Sequence, residues 1–192
     1  MDSEAAVHPR AAFRHRDFRY FLSARFLALI SHQMINIGVG QWIYQLTGNP
    51  LYLGYIGLVL FLPKVGLSFL TGHAADRYDR RRVILLCRIS QFLCILGLIG
   101  VASTAHPRMA AIYGLLLLLG AANAFDGPAS QSIVPQLVPM LHFSNAIQWN
   151  STIFQLALIL GPVAAGWIYA WKNAVLPVFV IVAAMRLPSA PP

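Results

Sequence analysis

The sequence predicts an all-α integral membrane protein, a bundle of six hydrophobic helices with the sixth cut short. Three observations predict it. Hydrophobic residues fill 58% of the 192 positions and charged residues only 10%, against roughly 25% charged in a soluble domain. The apolar residues gather in long runs, and a spanning helix needs about 20 of them. The charges, 14 Lys+Arg against 6 Asp+Glu for a net +8, cluster between those runs. A nucleic-acid-binding domain would spread such charge over a polar surface. This distribution excludes that class and a soluble enzyme alike.

The elements follow in order. Residues 1–16 read as a polar, Arg-containing leader, with no small-residue cleavage pattern after the first apolar run. A first helix over about 17–46 is stopped by Thr47-Gly48-Asn49-Pro50, a strong turn signal. The second span covers about 51–71, and the charged loop Gly72 to Arg82 separates it from a third at about 83–102. A short turn through Pro107 leads into the fourth, about 109–129. Residues 130–144, with Pro135 and Pro139, read as a connection lying at the interface, and Ser144 as the N-cap of a fifth span over about 145–171. After a turn at Lys172-Asn173, the sixth run, 174–185, has only twelve residues. At 1.5 Å each that is about 18 Å of helix, short of a bilayer core of about 30 Å. Residues 186–192 form a Pro-rich tail.

Orientation follows from the cations. Arg10, Arg14, Arg16 and Arg19 precede the first span and Arg77, Arg80, Arg81 and Arg82 lie between the second and third, whereas the opposite loops carry only Arg108 and Lys172. The positive-inside rule places the N-terminus and the Arg80–Arg82 loop in the cytoplasm. Cys87 and Cys94, seven residues apart on one helix, sit about 10 Å apart along its axis, too far for a disulfide.

Polar groups inside apolar spans mark where function resides. In the first span Arg25, His32, Gln33 and Asn36 read as a polar stripe. His32, Gln33 and Asn36 are the candidates for lining a substrate cavity, and hydrogen bonding between helices is the alternative. Asp126 is the one acid inside a span, at a depth shared with Arg25 and Arg88, either of which could pair with it. The bland alternative is an interfacial Asp reached by headgroup water. Lys64 either snorkels or faces the cavity.

Two motifs add a resemblance. In the loop Gly72-x-x-x-Asp76-Arg77-x-x-Arg80-Arg81, the glycine permits close helix approach and the aspartate complements the N-terminus of the next helix. The arginines hold the loop against an anionic leaflet. This arrangement resembles the signature loop of the major facilitator superfamily, with Asp79 where the family usually has glycine. Gly161-Pro162-x-x-Ala165-Gly166 is similar to the antiporter motif of that family's efflux members, with Ala165 standing for a glycine. Its proline kinks the helix and its glycines allow close packing. The stretches Trp42 to Pro63 and Gly120 to Trp149 are similar to the branch of enterobactin-type exporters and macrolide efflux permeases.

The resemblance implies the N-terminal six-helix half of a twelve-helix transporter, built from two inverted three-helix repeats. It implies export of a small molecule by alternating access, coupled to proton movement. Asp76 and the arginines would stabilise a closed state, and Gly161-Pro162 would shape the contact with the other half. The expected partners are the lipid bilayer and that second half, supplied in cis, in trans or by self-pairing. No cofactor, metal, nucleotide or nucleic acid is implied, and no catalytic constellation is present. The competing expectations are a truncated or split half with no transport of its own, and a non-transporting membrane module.

Overall fold

The computed structural model describes the backbone of residues 16–67, 80–137 and 143–186, and the side chains of 18–67, 82–127 and 144–186. Among them are six helices: α1 (Arg16–Thr47), α2 (Leu51–Gly66), α3 (Arg80–Ala102), α4 (Met109–Leu137), α5 (Phe143–Lys172) and α6 (Leu176–Arg186). Stretches long and apolar enough to cross a membrane lie in α3 (Arg82–Ala102), α4 (Met109–Gly127) and α5 (Ser144–Lys172). The apolar helices α2 and α6 are shorter, at 16 and 11 residues.

The connections follow local chemistry. Gly48 takes a left-handed φ of +64° and its N–H donates to Tyr44 O at 2.8 Å, closing α1. One step on, Leu51 N–H donates to Asn49 Oδ1 at 3.0 Å, so the asparagine satisfies a free donor at the start of α2. At the end of α5, Asn173 adopts φ +48° and donates its N–H to Tyr169 O. Asparagine tolerates that conformation better than most residues.

Two expected boundaries shift. α4 runs on through the backbone of Pro128 and Pro135 to Leu137, into the segment expected as an interfacial connection. Proline costs a helix one hydrogen bond without stopping it where neighbours resatisfy the freed carbonyl. α5 begins at Phe143, which puts Ser144 inside the first turn rather than at the cap. A third shift concerns Arg186, expected to open the tail. It is the last residue of α6 and only 6% exposed.

Packing divides the bundle into two ends. α3 packs most extensively on α4, and α1 on α5; α2 lies on α4, while α6 lies against α1 and α3. Thus α1 meets α5 and α6 as α4 meets α2 and α3, the exchange expected of two three-helix repeats. One end is filled by a dry core of Ile35, Val39 and Ile43 from α1, Ile95 and Leu98 from α3, Ile112, Leu116 and Leu119 from α4, and Val178, Phe179 and Val182 from α6. Trp42 closes edge-on over Phe179 at 5.9 Å. At this end Tyr113 Oη donates to Tyr52 O (3.1 Å), tying the start of α4 to the start of α2.

Glycine sets the crossings. A Cβ on Gly161 would lie 2.5 Å from Gln33 Cβ and 3.1 Å from Ile30 O, so α5 rides directly on the α1 backbone there. A Cβ on Gly120 would lie 3.1 Å from Leu60 O and 3.3 Å from Pro63 Cγ, the same device between α4 and α2. Without a hydrophobic drive between helices in lipid, such close approach is what dispersion forces require.

Candidate functional site

The end opposite the dry core opens into a cavity of about 700 Å³ to which all six helices contribute. Arg25, Ala28, Leu29 and His32 come from α1, Lys64 from α2, Arg88 from α3, and Asn123, Asp126 and Gly127 from α4. α5 supplies a mixed wall that includes Ile147, Asn150 and Phe154, and α6 ends in it at Arg186. Early residues of α1, α3 and α5 thus meet late residues of α2, α4 and α6, as alternating helix directions demand.

The back of the cavity is a hydrogen-bonded chain through four helices. Ser31 Oγ donates to Ala28 O (2.8 Å) and accepts from Arg186 Nε (2.9 Å). Arg186 Nη1 donates to Gln91 Oε1, and Gln91 Nε2 donates to Asn123 Oδ1 at 2.8 Å. Asn123 Nδ2 then lies 3.5 Å from His32 Nδ1, returning the chain to α1. With Nδ1 as the acceptor, the ring proton sits on Nε2. Ser31 is fully buried, and Gln91 is 1% exposed. Burial at that level requires partners, and each of these side chains has them.

The charged candidates converge. Arg25, Arg88 and Asp126 line the same cavity, and the Asp126 charge acts on both Arg25 and Arg186. The Arg25 guanidinium carbon also stands 5.8 Å from the centre of the Phe21 ring, a cation–π distance. Its Nε and Nη1 are buried without a hydrogen-bond partner among the described residues, as is Asn150 Oδ1. Lys64 faces the cavity.

The residues of the α1 stripe are placed apart. His32 lines this cavity, and Gln33 and Asn36 are not among its lining residues. A step of one residue turns a helix by about 100°, which carries Gln33 round to α5, where it packs on Gly161. Asn36 Nδ2 donates back to Gln33 Oε1 at 3.4 Å. In the second motif Gly161 is the close-approach position, whereas a Cβ on Gly166 would meet nothing within 4 Å. Gly166 instead borders a smaller cavity of about 360 Å³ between α1 and α5. Pro162 lies inside α5. Gly72, Asp76 and Arg77 lie outside the described residues, and Arg80 and Arg81 begin α3 with their side chains outside them. Cys87 and Cys94 are free and buried.

Sequence reasoning missed Arg186, Gln91 and Ser31 as parts of the site. The signal was present for Gln91, the one amide in α3, three residues after Arg88. Arg186 was masked by the prolines that follow it.

An all-α bundle with apolar spans defines a multi-pass membrane protein, and every described helix contributes to its cavity. The chain belongs to the Major Facilitator Superfamily, whose family model matches residues 21–190. Among curated proteins it is 30% identical over 158 residues to the staphyloferrin A transporter of Staphylococcus aureus, covering 81% of this chain and 40% of that protein. It is 29% identical over 163 residues to the enterobactin exporter EntS of Escherichia coli, covering 81% of this chain and 38% of that one. An uncharacterized MFS-type transporter of Bacillus subtilis is 25% identical over 157 residues, 75% of this chain and 36% of its own length. The chain therefore spans about two fifths of the length of these relatives.

Proposed function

We propose that the chain forms the N-terminal six-helix half of an exporter in a bacterial inner membrane, with its N-terminus in the cytoplasm. With a second six-helix half it would carry a small molecule of the siderophore type by alternating access, in exchange for protons. The observation that carries this reading is the cavity itself. It carries charged and amide side chains, is closed by an apolar core at one end, and is built by every described helix, which suits one wall of a central passenger site. The names of the relatives support the passenger class, since one is a staphyloferrin A transporter and another an enterobactin exporter. Within this reading His32 and the Asp126–arginine cluster face the passenger. The Asp76 and Arg77/Arg80/Arg81 loop steadies the state closed to the cytoplasm, and Gly161-Pro162 shapes α5 at the boundary with the second half.

The test uses everted membrane vesicles from cells making the chain alone or together with a second six-helix half. Radiolabelled siderophore should accumulate only when both halves are present, and an uncoupler should abolish it. Absence of accumulation with both halves in the membrane would refute the transport reading. Accumulation by the chain alone would show that it pairs with itself.

A further inference from the structure

The cavity holds more positive charge than its one carboxylate offsets. Arg25, Lys64, Arg88 and Arg186 face it together with Asp126, a formal excess of three among the described residues. Arg88 and Arg186 are buried and Arg25 is half-buried; buried cations are costly unless paired, and their mutual repulsion adds to that cost. A purely architectural role suits Arg186, whose guanidinium is engaged by Ser31 and Gln91. Arg25 differs. Its Nε and Nη1 are withdrawn from solvent with nothing described to accept from them. Guanidinium N–H groups form a rigid fork that fits a carboxylate or phosphate through two parallel hydrogen bonds. The space, about 700 Å³, falls within the range of roughly 300–1,000 Å³ that holds small ligands. A single negative charge would leave most of the excess standing.

We propose that this cavity binds a multivalent oxyanion, a small molecule carrying two or more carboxylate or phosphate groups. Arg25 takes one group through its unpartnered guanidinium N–H groups, Lys64 and Arg88 take the others, and Arg186 adds a fixed positive field from the back wall. This deepens the reading of the cavity as a passenger site and rests on it. The same chemistry is offered by a soluble polycarboxylate and by the headgroup of a diphosphate lipid such as cardiolipin.

The test is calorimetric titration of the purified full chain in uncharged detergent with citrate, succinate, acetate and choline. Affinity should rise with anionic valence, vanish for choline and fall with added salt. Arg25→Gln should weaken citrate binding by about tenfold or more, as expected for loss of a charge-assisted pair. Asp126→Asn should strengthen it severalfold, a gain that misfolding cannot produce. Repeating the titration in phosphatidylcholine nanodiscs with and without cardiolipin separates the sources. Citrate binding blocked by cardiolipin places both at one site, and cardiolipin binding without citrate binding assigns the site to lipid. Equal binding of acetate and citrate would overturn the proposal, and so would binding of neither citrate nor cardiolipin. Citrate binding with no vesicle transport would leave the oxyanion site standing and remove the transport reading. Siderophore transport with no valence preference would do the reverse.

Discussion

Gly161 and Gly166 sit in one motif on one helix, yet the structure predicts opposite responses to the same added methyl group. In Gly161→Ala the new Cβ would stand 2.5 Å from Gln33 Cβ and 3.1 Å from Ile30 O, where carbon atoms prefer about 3.5–4.0 Å. Neither neighbour is the far end of a flexible side chain. One is fixed to the α1 backbone and the other belongs to it, so α1 and α5 must separate by about 1 Å at their closest point. Overpacking of this kind costs about 1–3 kcal/mol. Gly166→Ala meets nothing within 4 Å and gains up to about 1 kcal/mol of helix propensity. Gly161→Ala shares that propensity gain, so the two variants should differ by the overpacking alone, about 1–3 kcal/mol. The assay is loss of helical circular dichroism as sodium dodecyl sulfate is titrated into mixed micelles. Gly161→Ala should unfold at a lower dodecyl sulfate fraction than the parent, and Gly166→Ala at the same fraction or a higher one. Adding Gln33→Gly to Gly161→Ala removes the 2.5 Å contact and should recover part of the loss, a favourable coupling in a double-mutant cycle. A Gly161→Ala midpoint at or above that of the parent would refute the reasoning.

Four further outcomes can be checked. Gly120→Ala, facing 3.1–3.3 Å approaches from Leu60 O and Pro63 Cγ, should cost about 1 kcal/mol in the same assay, less than Gly161→Ala. Gln91→Leu removes the acceptor of Arg186 Nη1 and the donor to Asn123 Oδ1, and should destabilise by about 2 kcal/mol or more; an unchanged midpoint would show that the chain of hydrogen bonds carries no stability. A cysteine at Arg80 should react with an impermeant thiol reagent only after the membrane is opened, because the proposed orientation puts the start of α3 inside. Asp76→Asn, in the chain paired with a second half, should cut vesicle transport while membrane abundance stays level; equal transport would remove the role proposed for that loop.

The helices were legible because each is written as a run of apolar residues between turn residues, a pattern that depends only on neighbours along the chain. Depth was legible for the same reason. Counting residues at a fixed rise put Arg25, Arg88 and Asp126 at one level, and they line one cavity. Azimuth was harder to read. Gln33 and His32 are adjacent in sequence, and which of them faces the cavity is decided by where α5 lies, which is in turn set by the bare Cα of Gly161. Arg186 shows the remaining gap. Read locally, an arginine before a run of prolines belongs to a solvated tail. Its burial results from Ser31 and Gln91, residues 155 and 95 positions away in the chain, and no window along the sequence contains them.

The position of Arg186 has a consequence for a charge held in the cavity. Arg186 lines that cavity, while Val178, Phe179 and Val182 of the same helix belong to the apolar core. The step from guanidinium to packed hydrocarbon is therefore made within about one turn of α6. A charged group resting against Arg186 has the apolar core on its inner side, where moving further without a partner is costly.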